Sequence, residues 1–108
     1  HIDHAAHANN TDEVLWWMEE FDKLVNSAFD YADTHKGTLV IVTADHETGG
    51  ITRQADGSFR YTRGSHSGVD VPIYAIGAGT EIFRGQTVQN TAIAKFLAGI
   101  YGSTDFGE

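Results

Sequence analysis

Apolar residues recur at Val14, Trp17, Met18, Phe21, Leu24, Val25, Ala28, Phe29 and Ala32. This is the i, i+3, i+4 spacing that lines one face of an α-helix. Asn10, with Glu13 three residues on, makes a variant capping box, and Asp12 and Glu13 suit the positive end of a helix dipole. His35 and Lys36 fit a last turn, and Gly37 a stop after it. Together they predict a helix over residues 11–36.

The period then changes. Residues 38–43 (Thr-Leu-Val-Ile-Val-Thr) are β-branched or apolar on both alternating faces. That predicts a strand buried on both sides, as in a parallel sheet covered by helices. A polar loop, residues 44–50, follows at the strand's C-terminal end, where ligand sites form in open α/β sheets. Residues 51–62 read as a hairpin turning at Asp56-Gly57. A short loop over residues 63–68 precedes a second strand, residues 71–76, with Pro72 near its start. Thr87 is placed to cap a last helix with Val88, Ile93, Phe96, Leu97 and Ile100 on its apolar face and Gly102 at its end. The order helix, strand, hairpin, strand, helix is α/β, with too few strands for a complete doubly wound sheet. The remaining strands are expected upstream, and strand edges without neighbours invite pairing with another chain.

Composition narrows the function. Apolar residues are 41% and charged residues 20% of the 108, which suits a packed core and argues against disorder. The net charge of -8 argues against a nucleic-acid partner, because phosphate backbones need clustered Lys and Arg. An anionic substrate is still attracted if bound metal ions reverse the local potential. The chain has no cysteine, which removes disulfides, thiolate zinc sites and thiol catalysis together. No apolar run approaches the length of a membrane span, and no signal peptide is visible. The chain opens on His1, with a dense polar motif from residue 3. It is therefore expected to be a piece of a longer protein.

Three clusters carry candidate chemistry. Asp3 and His7 stand four residues apart and share a face if their segment is helical. Read alone, they also fit a solvated polar terminus. Asp45 and His46 follow the first strand directly, and both residue types are common zinc ligands. Read alone, Asp45 also fits a turn cap. His66 lies among Gly64, Ser65, Ser67 and Gly68, small neighbours that let the backbone bend close to a bound group. Ser67 beside it suggests a Ser–His nucleophile, but adjacent side chains seldom face each other and no nucleophile elbow surrounds it. Five Asp and His ligands suit two metal ions better than one. Paired ions hold the attacking and leaving oxygens of an in-line phosphoryl displacement. The residues alone therefore indicate a metal-dependent hydrolase.

These motifs also resemble a known family. Ile2-Asp3-His4-Ala5-Ala6-His7 is similar to the zinc motif of alkaline phosphatases. Thr43-Ala44-Asp45-His46-Glu47-Thr48-Gly49-Gly50 is similar to their Thr-Ala-Asp-His motif in its bacterial form. His66-Ser67-Gly68, with Val71-Pro72 and Ala75-x-Gly77, resembles the segment around their last zinc-binding histidine. The resemblance implies part of a three-layer sandwich with a mainly parallel sheet and flanking helices, in one C-terminal piece of the domain. It implies that Asp3, His7 and His66 bind one zinc and that Asp45 and His46 bind a second. His4 would support the site from behind, and residues 47–50 would shape the loop. The nucleophilic serine, the phosphate-binding arginine, one further aspartate ligand and the magnesium ligands belong to the family's upstream part. The whole protein is then expected to hydrolyse phosphomonoesters, in the periplasm or outside the cell and as a homodimer, while this piece alone is inactive. A zinc-binding domain without catalysis, a structural domain with vestigial ligands, and a related phosphodiesterase or phosphomutase remain alternatives.

Overall fold

A computed structural model describes residues 1–107. It opens with a short helix α1 (Ile2–His7), followed by the long helix α2 (Thr11–Thr34). Asn9, at φ 54, turns the chain between them, a left-handed conformation that Asn tolerates better than most residues. Asn10 caps α2 by accepting from the Glu13 N–H at 3.2 Å. Glu13 returns a bond to the Asn10 side-chain amide, also 3.2 Å, not to its backbone, so the capping box closes in a modified form. At the other end α2 stops at Thr34, two residues short of the expected limit. His35 stacks on Tyr31 with ring centres 3.8 Å apart, and Gly37 turns at φ 88.

The predicted face of α2 is only partly covered. Val14, Trp17, Phe21, Val25, Ala28, Phe29 and Ala32 are half-buried, whereas Met18 and Leu24 are exposed, as are Leu15, Trp16 and Tyr31. Among the described residues the buried hydrophobic side chains are Ala5, Ala6 and Phe83. The radius of gyration is 16.5 Å, against about 13 Å for a compact chain of this length. These residues thus spread over a surface and do not close around a large core of their own.

Strand β1 (Val40–Thr43) pairs with a late strand (Ile73–Ile76), Val40 opposite Ile76 and Thr43 opposite Ile73. Between them lie four two-residue strands, the first three being β2 (Glu47–Thr48), β3 (Thr52–Arg53) and β4 (Phe59–Arg60). The fifth strand, β5 (His66–Ser67), precedes the late strand, which is β6. β3 and β4 form the expected hairpin, with Gly57 at φ 86 in its turn. β2 pairs with β5, Glu47 opposite Ser67 and Thr48 opposite His66.

Every strand pairing among the described residues is antiparallel, so the mainly parallel sheet is not formed by this chain itself. A parallel pair requires a crossover that returns to an earlier strand. α2 leads into β1, but no strand precedes α2 among the described residues. The faces of β1 are correspondingly half-buried, not buried as the apolar run predicts.

Two further expectations are corrected. His66 belongs to a strand and not to a loop. The last helix, α3 (Thr91–Ile100), starts four residues after Thr87, with Asn90 at its N-cap. A 3-10 turn (Thr80–Phe83) precedes it, and Phe83 packs edge-on against Phe96 of α3 at 5.2 Å. Gly102, at φ 82, follows the helix end as expected.

Candidate metal centre

Several local features bring α1 to the β2–β5 pair. Ala5 and Ala6 are small enough to be buried against neighbouring elements. Gly49, at φ 95, lets the backbone pass so close that a Cβ there would lie 3.3 Å from the Ala6 carbonyl oxygen. Gly64 approaches from the other side, where a Cβ would lie 3.2 Å from the His7 carbonyl oxygen. Asn9, with its amide nitrogen facing them, donates to the carbonyls of Ala6 and Arg63, each at 3.0 Å. The end of α1 is thereby tied to the segment leading into β5.

Asp3, His7 and His66 meet at this junction. Asp3 Oδ1 lies 3.4 Å from His7 Nε2 and 3.3 Å from His66 Nε2. The two ring nitrogens are 3.1 Å apart. His7 Nδ1 is 2.8 Å from the Gly64 carbonyl oxygen. A carbonyl can only accept, so Nδ1 carries the proton and Nε2 offers a lone pair. Three electron-rich atoms at this spacing repel one another unless a proton or cation sits among them. Zinc at about 2.0–2.2 Å from nitrogen and oxygen holds tetrahedral ligands about 3.3 Å apart. The edges of the observed triangle match that spacing, so the donor set fits such an ion.

Asp45 and His46 do not join this triangle; they form a second, smaller group. Asp45 Oδ2 lies 3.4 Å from His46 Nε2, the same tetrahedral edge. Asp45 Oδ1 accepts from the His46 backbone N–H at 3.1 Å, which leaves Oδ2 free to face outward. Asp45 is 87% exposed at its side chain. The two groups touch through their rings, since His46 stacks on His66 with centres 3.6 Å apart.

The β2–β5 ladder sorts side chains by face. Directly opposed residues in a pair share a face, and successive residues alternate. Thr48 and His66 therefore lie on the metal-site face, and Glu47 and Ser67 on the other. There the Ser67 hydroxyl donates to Glu47 Oε2, and the Ile51 N–H donates to Oε1 at 3.1 Å. Ser67 is thus turned away from the ring of His66, and no Ser–His nucleophile forms. The Ser67 hydroxyl, against the opposing effect of desolvation, holds the Glu47 carboxyl below its ordinary value, aided by backbone N–H groups and Arg63.

Thr48, which the sequence reading gave only a part in shaping the loop, contacts the ligands directly. It is buried, at 7% exposure, and its hydroxyl donates to Asp3 Oδ1 at 2.7 Å. The same oxygen lies 3.2 Å from His46 Nδ1. That hydroxyl is the main reason why the Asp3 carboxyl is held below its ordinary value, with desolvation opposing and His7, His66 and His46 adding. A sequence signal exists: Thr48 follows His46 by two residues, the spacing that puts strand neighbours on one face. His4, by contrast, is exposed and lies edge-on to His1 at 6.4 Å. No hydrogen bond among the described residues links it to the cluster, so its supporting role is not borne out.

An open cleft of about 850 Å³ runs past the end of β1 and along residues 69–74. It reaches the candidate centre only at Asp45. The donor atoms themselves, not this cleft, mark the site. Among the described residues no helix is long and apolar enough to cross a membrane.

The alkaline phosphatase family profile matches residues 1–64. Alkaline phosphatase 3 of Bacillus subtilis (strain 168) is 42% identical over 60 residues, 56% of this chain and 13% of that protein. Alkaline phosphatase 4 of the same organism is 45% identical over 56 residues, 52% of this chain and 12% of its own length. The alkaline phosphatase from the Antarctic bacterium TAB5 superposes with a TM-score of 0.70 at 34% identity, covering 76% of this chain and 27% of the other. A mutant of the TAB5 enzyme with Mg bound in its M3 site gives a TM-score of 0.65 at 35% identity, covering 76% of this chain and 28% of that one. The chain spans about an eighth of the curated relatives it matches, and its fold is alkaline-phosphatase-like. By the match over residues 1–64 and these relatives, the chain belongs to the alkaline phosphatase family.

Proposed function

We propose that this chain is the part of a zinc-dependent phosphomonoesterase that supplies most of the ligands for two metal ions. Asp3, His7 and His66 hold one zinc, and Asp45 and His46 hold the second. The observation that carries the reading is the triangle of Asp3 Oδ1, His7 Nε2 and His66 Nε2, with edges of 3.1–3.4 Å. Three protein ligands leave one tetrahedral position open, the usual arrangement of a catalytic and not a structural zinc. The two-ligand Asp45–His46 group leaves two positions for groups from elsewhere.

Zinc held by these residues would supply Lewis acidity that offsets negative charge on a phosphoryl group. The chain's own residues prepare the ligands. Gly64 fixes the tautomer of His7, and the backbone N–H of His46 turns Asp45 Oδ2 outward. The nucleophilic serine, the phosphate-binding arginine, a further aspartate and the magnesium ligands are contributed by residues outside these 108. A phosphomonoester is the substrate. The parent protein works in the periplasm or outside the cell, as a homodimer, and the present residues fit into a three-layer sandwich whose mainly parallel sheet they help to build. The exposed apolar residues of α2 are consistent with burial in that larger fold.

The test is metal content and turnover measured together. The full-length protein is expected to carry two zinc ions at these ligands and to hydrolyse p-nitrophenyl phosphate, with loss of turnover on chelation. The 108-residue piece is expected to show no turnover. Chelator-sensitive hydrolysis by the pure piece overturns the assignment of the nucleophile to residues outside it, and a full-length protein without zinc overturns the metal assignment.

A further inference from the structure

Thr48 sits between the two ligand groups, and its single hydroxyl proton is committed. Asp3 Oδ1 is a carboxylate oxygen at 2.7 Å, which accepts and does not donate. Toward His46 Nδ1, at 3.2 Å, the hydroxyl oxygen can then only accept. The proton of His46 must therefore reside on Nδ1, which leaves the Nε2 lone pair free on the side where Asp45 Oδ2 stands. The bridge is enclosed: Thr48 is 7% exposed, so water competes poorly for either bond. His66, the third ligand of the first group, is opposite Thr48 in the ladder.

We infer that Thr48 is a positioning residue that couples the two metal positions, orienting Asp3 in the first and setting the tautomer of His46 in the second. This inference rests on the metal reading given above. It assigns to one hydroxyl two tasks usually divided among separate partners, since metal-bound histidines and carboxylates are each oriented by hydrogen bonds from behind. Replacing the hydroxyl by a methyl removes both bonds with little change of volume, whereas serine retains them.

The experiment uses the full-length protein, its Thr48→Val and Thr48→Ser variants, and two readouts. Zinc affinity is measured by competition with a chelator. The tautomer of His46 is read in the metal-free protein by long-range nitrogen–proton NMR, with the signal assigned through its loss in His46→Gln. Wild type and Thr48→Ser are expected to carry the His46 proton on Nδ1 and to bind zinc within a few-fold of each other. Thr48→Val is expected to lose the tautomer preference and to bind zinc about 10- to 100-fold more weakly, with an unchanged near-ultraviolet circular dichroism spectrum. A wild-type His46 protonated on Nε2 overturns the inference, even if the valine variant fails to fold. A valine variant that binds zinc as tightly as wild type overturns it while the metal reading stands. A wild type that binds no zinc overturns the metal reading and this inference with it.

Discussion

Thr48 faces His66 across the β2–β5 ladder, and this one register brings the segment following the first strand to the last candidate ligand. A slip of one residue would turn His66 to the opposite face. It would then point toward Glu47's side and away from Asp3. The site therefore depends on interactions that hold the register as much as on its ligands.

The ligand groups are expected to separate by mutation. In the full-length protein His66→Ala should remove one zinc and leave the other, because His66 contacts Asp3 and His7 while His46 pairs with Asp45. His46→Ala should remove the complementary ion. Metal content by mass spectrometry checks this, and loss of both ions from either variant would show one cooperative site.

Glu47 holds the register from the other face through Ser67 and the Ile51 N–H. Glu47→Ala should weaken zinc binding without touching a ligand, by about 10-fold as for other groups that orient ligands indirectly. Ser67→Ala removes only one of the two contacts and should have the smaller effect. Chelator competition on both variants measures the difference.

Gly49 combines a φ of 95 with a close approach to Ala6, and a Cβ there would also meet the Tyr61 ring at 3.0 Å. Gly49→Ala should destabilise the full-length protein by about 1–3 kcal/mol, the usual cost of forcing a side chain into a sparsely populated backbone conformation. Denaturant unfolding gives the number, and an effect below about 0.5 kcal/mol, the range of neutral surface substitutions, would count against the close contact.

The hairpin carries a pH-dependent contact. The Ser58 hydroxyl, and after it the Ser58 backbone N–H, hold the exposed Asp56 carboxyl below its ordinary value of 3.8. A folded-state pKa below the unfolded one stabilises the turn above the ordinary carboxylate range, and that contribution is lost as pH falls through the folded-state pKa. Asp56 should accordingly titrate below 3.8 by carboxyl NMR and move toward that value in Ser58→Ala. An unchanged midpoint in the variant would remove the hydroxyl from the account.

Much of this protein was legible in its order of residues. The apolar spacing of α2, its Asn10 cap and the Asp56-Gly57 turn follow from local rules, because each depends on neighbours within a few positions. The ligand candidates were legible too, since Asp and His beside a strand end and at helical spacing stand out chemically. Pairing beyond the hairpin was not legible. A two-residue strand such as β5 has no period to detect, and nothing local tells that His66 stands opposite Thr48. The sense of the β1–β6 pair was missed for a related reason: an apolar run reports burial on two faces, not the direction of its neighbour. Local order was enough for α2, the hairpin and the kinds of atom available to a metal. Only the tertiary structure decided which of those atoms meet, because donor atoms 59 residues apart, on His7 and His66, are brought to 3.1 Å by packing and register that no local pattern encodes.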